Sequence, residues 1–101
     1  MPKVTVTKQT NLSLEETFTK VKDMLESDDE LKKIDPNIYF NFNESNKTGS
    51  ANSNQFKADL KVVNAGSGSE VEIVVDLPFH LGLVKGLVKS TLQKKLDHSL
   101  S

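Results

Sequence analysis

The chain has no cysteine and no arginine, and it lacks any long apolar run. Without cysteine there is no disulfide framework, no thiolate metal site and no cysteine nucleophile. All 13 basic residues are lysine. The bidentate fork used to read bases and phosphates is therefore missing, and specific nucleic-acid recognition is not expected. No apolar stretch approaches the roughly 20 residues of a membrane span. The start, Met1-Pro2-Lys3-Val4-Thr5-Val6, alternates like a strand and does not read as a secretory signal. A cytoplasmic protein is expected. At 101 residues, the chain is sized for a single domain with one core.

Val4 and Val6 alternate with Thr5 and Thr7 as a half-buried first strand. Ser13-Leu14-Glu15-Glu16 is a capping box that opens a helix over 14–26, with Leu14, Phe18, Val21 and Leu25 on one stripe. Ser27-Asp28-Asp29-Glu30 repeats the capping pattern before a short turn carrying Leu31 and Ile34, which Asp35-Pro36 stops. Ile38, Phe40 and Phe42 alternate as a second strand. Residues 48–53 are small and polar, and read as a weak, edge-like strand or loop. Phe56, Ala58, Leu60 and Val62 alternate as a third clear strand. Residues 64–69 form a flexible hairpin connection, and Val71, Ile73, Val75 and Leu77 give the fourth strand before Pro78.

The order is β-α-β-β-β-α. Short connections between the last three strands require antiparallel pairing. An α+β two-layer domain follows, with a curved sheet of about four strands and both helices on one face. The first strand is left with two possible neighbours, the second strand or the last.

No constellation of side chains announces catalysis. His80 and His98 lie near opposite ends of the last helix, roughly 27 Å apart for 18 helical residues, and do not share a metal. Asp28-Asp29-Glu30 is a solvated helix start, with no loop glycine to wrap a cation. Glu70 and Glu72 are placed to oppose Lys57 or Lys61 across a hairpin. Gly66-Ser67-Gly68 leads into a strand rather than a helix, so it is a turn and no phosphate cradle. No catalytic residue, metal or cofactor is expected.

The last helix has two apolar stripes. Leu81, Val84, Val88, Leu92 and Leu96 recur at helical spacing, and Phe79, Leu83 and Leu87 fall on roughly the opposite side. One stripe anchors the helix to a sheet; the second needs another cover. Either it packs inside a curved sheet, or it meets a lipid or polymer surface or a second copy, with Lys85, Lys89 and Lys94 supplying positive charge nearby.

Val75-Asp76-Leu77-Pro78-Phe79, then Lys85-Gly86, Leu92 and Leu96-Asp97, together with Ser13-Leu14-Glu15-Glu16-Thr17, resemble the polyhydroxyalkanoic acid system family. These are small bacterial proteins encoded near genes for polyester storage granules. The resemblance spans nearly the whole chain, except that residues 27–34 and 44–54 are less typical. It implies a cytoplasmic protein of polyhydroxyalkanoate metabolism and brings no active-site residues with it.

The strand-then-long-helix arrangement also looks like a shortened helix-grip lipid-binding fold. That analogy places Phe40, Phe42, Phe56, Leu60, Ile73, Val84 and Val88 around a pocket. The leading expectation is a non-enzymatic accessory protein that meets a granule, lipid or protein surface through Phe79, Leu83 and Leu87. The alternative is a carrier of a small fatty or hydroxyacyl ligand. An enzyme acting on acyl chains is the third, with no residue to nominate.

Overall fold

The computed structural model describes residues 3–29, 33, 36–53, 57–77 and 85–100. Its elements are β1 (Lys3–Thr10), α1 (Leu14–Ser27), β2 (Tyr39–Asn43), β3 (Thr48–Asn52), β4 (Lys57–Ala65), β5 (Gly68–Asp76) and α2 (Lys85–Leu100). The strands form one antiparallel sheet in the order β1-β5-β4-β3-β2. The first strand therefore joins the last, with Val4 opposite Val75 and Val6 opposite Ile73.

The sheet has five strands where about four were expected. The additional one is β3, whose Thr-Gly-Ser-Ala-Asn sequence has no side chain large enough to show a pattern. It is an interior strand, between β2 and β4, and the edge is β2. Its small residues suit that place: a Cβ on Gly49 would lie 2.7 Å from Cδ1 of Phe42, so only glycine lets that ring lie across the strand.

Local chemistry sets the helix start. Ser13 Oγ accepts a hydrogen bond from the Glu16 amide at 3.1 Å, as a capping serine does. Phe18, Val21 and Leu25 then point into the core from α1, as their spacing requires. They meet Val4 and Val6 of β1, Leu60 and Val62 of β4, and Val71, Ile73 and Val75 of β5. Leu92, Leu96 and Leu100 of α2 complete the same cluster, so both helices cover one face of the sheet. Each such side chain contributes about 1.5–3 kcal/mol when fully buried.

The β4–β5 connection is tighter than a six-residue flexible link. Ala65 pairs with Gly68, leaving Gly66 and Ser67 as a two-residue turn. Gly66 has φ 62°, the left-handed value that a type II′ turn gives to its first central residue. On the outer face, Glu72 opposes Lys61 as expected, whereas Lys57 opposes Asp76 and Glu70 opposes Val63.

Leu31, Ile34, Phe56, Phe79, His80, Leu81, Leu83 and Val84 lie outside the described residues. So do the expected beginning of the last helix and most of the turn after α1.

Candidate functional site

α2 is held by its C-terminal part. Gln93 Nε2 donates to the Thr7 carbonyl of β1 at 3.2 Å, and Lys8 Nζ pairs with Asp97 Oδ1 at 3.1 Å. Lys95 Nζ lies 2.6 Å from Oδ2 of Asp28, the residue that ends α1. Asp28 was expected in a solvated helix start. It is instead a C-cap whose side chain is 8% exposed, because α2 passes over it. Nothing in the local sequence announces that partner, 67 positions away.

The covered side of this helix does not run its whole length. Residues seven apart lie within about 20° of one another on a helix. Leu92 and Leu96 are buried, yet Lys85 and Lys89, seven positions before each, are exposed. Val88 is half-buried against the core. The packing of α2 on the protein therefore thins from Leu92 towards Lys85, with Val88 still resting against the core.

The sheet's inner face continues past that packing. One cross-strand row reads Phe40, Ala51, Ala58, Val75 and Val4, and the next reads Phe42, Gly49, Leu60, Ile73 and Val6. All ten are uncharged and none carries a polar side chain. Small residues stand in the middle of the first row, between a phenylalanine and a valine, so the row dips where Ala51 and Ala58 lie. Ala51 is buried, while Phe40 and Ala58 are half-buried.

The far end of both rows is aromatic. Phe40 and Phe42 stack, with centroids 5.9 Å apart and planes 13° apart. Phe18 meets Phe42 edge-on at 6.1 Å and 85°. Lys22 Nζ stands 5.8 Å from the centre of the Phe42 ring and also pairs with Glu44 at 3.3 Å. Such aromatic contacts stabilise beyond the area they bury, by about 0.5–1.5 kcal/mol each.

Of the residues expected around a pocket, Phe40, Phe42, Leu60 and Ile73 share this inner face, and Val88 packs against the same core. Leu60 and Ile73 are core residues at 4% exposure each. Phe56 and Val84 lie outside the described residues. Ala51 and Ala58 also stand on this face, where the alternation around Leu60 puts Ala58.

The expected surface patch is only partly described. Leu87 is 67% exposed. Helix geometry puts Lys94 on its side, seven residues on, and puts Lys85 and Lys89 about 160° away. Phe79 and Leu83 lie outside the described residues.

The opposite face of the sheet has an open hollow of about 670 Å³ across β2, β3 and β4. It is lined by the polar and charged residues Asn41, Asn43, Glu44, Thr48, Ser50, Asp59 and Lys61 together with Phe42, Gly49 and Leu60. Among the described residues, no three His, Cys, Asp or Glu side chains converge on a metal position. Nor is any described helix long and apolar enough to cross a membrane.

No protein-family model matches the sequence, and no curated protein is detectably similar to it. Solved structures are informative. The crystal structure of TTHA0849 from Thermus thermophilus superposes with a TM-score of 0.64 at 14% identity, over 98% of this chain and 94% of that one. Ara h 8.0201 superposes with a TM-score of 0.56 at 10% identity, over 98% and 97% of the two chains. At such identities the likeness is one of fold: this chain has a helix-grip architecture, an antiparallel sheet folded around a C-terminal helix.

Proposed function

We propose that the chain is a non-enzymatic, cytoplasmic binding protein that holds a small apolar ligand of the fatty or hydroxyacyl type between the inner face of its sheet and α2. One observation carries this reading. The row Phe40–Ala51–Ala58–Val75 is apolar, carries its smallest side chains at its middle, and keeps Phe40 and Ala58 partly exposed. Such a surface binds by burial of apolar area, at about 25 cal/mol per Å². The platform offers no acid, base or nucleophile, which favours binding over catalysis.

The test is to extract purified protein with organic solvent, identify bound lipid by mass spectrometry, and titrate the emptied protein with fatty and hydroxyacyl compounds. Ala58→Phe fills the dip and is expected to abolish uptake while circular dichroism stays that of the parent. Uptake unchanged in a folded Ala58→Phe variant would place the ligand elsewhere.

A second reading is favoured by the exposure of Leu87 beside Lys94. In it, α2 attaches the protein reversibly to a polyhydroxyalkanoate granule or lipid surface. The link to polyester storage rests on the sequence resemblance around Val75-Asp76-Leu77-Pro78-Phe79. Co-sedimentation with granules and vesicles, lost in Leu87→Glu, is the expected result; equal sedimentation of parent and variant would dismiss this face.

A further inference from the structure

The two edges of the sheet are built differently. β1 carries Lys3 and Lys8, and the side chain of Gln93 occupies its Thr7 carbonyl. Lysines and covered carbonyls are common protections of an edge strand against pairing with another chain. Among the described residues β2 shows neither. Its sequence is Tyr-Phe-Asn-Phe-Asn, without charge, proline or glycine, and among the described residues no strand pairs with its outer side.

We propose that the outer edge of β2 is the contact between two copies of this chain, paired antiparallel about a two-fold axis at Asn41. The sequence is self-complementary in that register. Phe40 of each copy falls opposite Phe42 of the other, Tyr39 falls opposite Asn43, and Asn41 meets its own equivalent. Directly opposed residues share a face. The phenylalanines therefore meet on the inner side, where Phe40 and Phe42 are now half-buried, and Tyr39, Asn41 and Asn43 lie on the outer side, where all three are exposed. Two uncharged edges approach without repulsion, whereas two copies of β1 would bring lysines together.

The size of the contact sets its strength. Four phenylalanines of about 150–250 Å² each, covered along one further side, join two five-residue strand edges. That places the total below about 1,200 Å², the range of weak, exchanging dimers. In this contact the two inner faces become one continuous surface.

Sedimentation velocity over a concentration series tests it. The parent is expected to show a reversible monomer–dimer equilibrium. Asn41→Lys sets like charges face to face at the axis without touching the core, and is expected to weaken association by about fivefold or more. Because the chain has no cysteine, Asn41→Cys is expected to form a covalent dimer on mild oxidation, since opposed Cα atoms lie about 4.5–5.5 Å apart. Ser50→Cys, on the interior strand, is expected not to. A parent that stays monomeric at every concentration overturns the proposal. So does a dimer unaffected by Asn41→Lys, or one in which a folded Asn41→Cys variant cross-links no better than Ser50→Cys.

Discussion

Asp28 and Lys95 join the end of α1 to the last turns of α2 through a 2.6 Å ion pair, with side chains only 8% and 19% exposed. Removing one partner of such a pair leaves a charge with little water around it, and full burial makes that cost about 3–5 kcal/mol. With this degree of exposure, Lys95→Met is expected to destabilise the fold by roughly 2 kcal/mol. Replacing both, as Asp28→Asn with Lys95→Met, is expected to recover part of the loss. Urea melts of the single and double variants measure it, and strictly additive losses would show that the pair has no coupling of its own.

Gly66 and Gly68 are two residues apart and are required for different reasons. A Cβ on Gly68 would lie 1.9 Å from the Thr10 carbonyl oxygen and 2.8 Å from the Asn11 Cα, both backbone atoms. Around Gly66 there is open space, but its φ of 62° disfavours side chains. Gly68→Ala is expected to cost about 3 kcal/mol, the upper end of overpacking, and Gly66→Ala about 1 kcal/mol. Equal losses for the two alanine variants would contradict this distinction.

Asp97 is expected to shape the acid limb of stability. Its carboxyl is held below the usual carboxylate range by the hydrogen bond from Lys8 first, and by that from Gln93 second. A carboxylate whose folded pKa is lowered stabilises the fold above its unfolded value of about 4, and that contribution disappears as pH falls through the folded value. Asp97→Asn should therefore lower the melting temperature slightly at neutral pH and flatten its decline below about pH 4. An unchanged acid limb would mean that the contact with Lys8 contributes nothing.

Thr17 is fully buried on α1, and among the described residues its hydroxyl meets no hydrogen-bond partner. A buried hydroxyl without a partner costs about 1–3 kcal/mol, and valine has nearly the same shape. Thr17→Val is expected to raise stability by about 1 kcal/mol in denaturant melts. A loss on that substitution would reveal a partner for the hydroxyl.

Most of the architecture was legible because it rests on period and capping. Val4 and Val6, Leu60 and Val62, and Val71, Ile73 and Val75 alternate, and each enters the core. Ser13 caps α1 as its spacing with Glu16 required. What escaped has no local signal. β3 is interior because its neighbours need room, and Gly49 and Ala51 carry no hydrophobic pattern. Leu100 continues the series of Leu92 and Leu96 by one more turn and joins the same core. Asp28 with Lys95, and Thr7 with Gln93, join residues far apart in the chain, so only folding reveals them. At the candidate site, Phe40, Phe42 and Val88 were visible as apolar positions. The dip at Ala51 and Ala58 is a property of cross-strand register, which no single strand's sequence contains.

The placement of β1 has a consequence for the order of events during synthesis. β1 is flanked by β5 along its length and by α2, both of which follow it by more than half of the sequence. Neither partner exists when β1 leaves the ribosome, so the strand waits without a strand partner until about 70 more residues have emerged. Chains whose contacts span such distances fold slowly. Pulse-labelled hydrogen exchange is therefore expected to show the β2–β3–β4 meander protected first, with β1 protected only when β5 and α2 close around it.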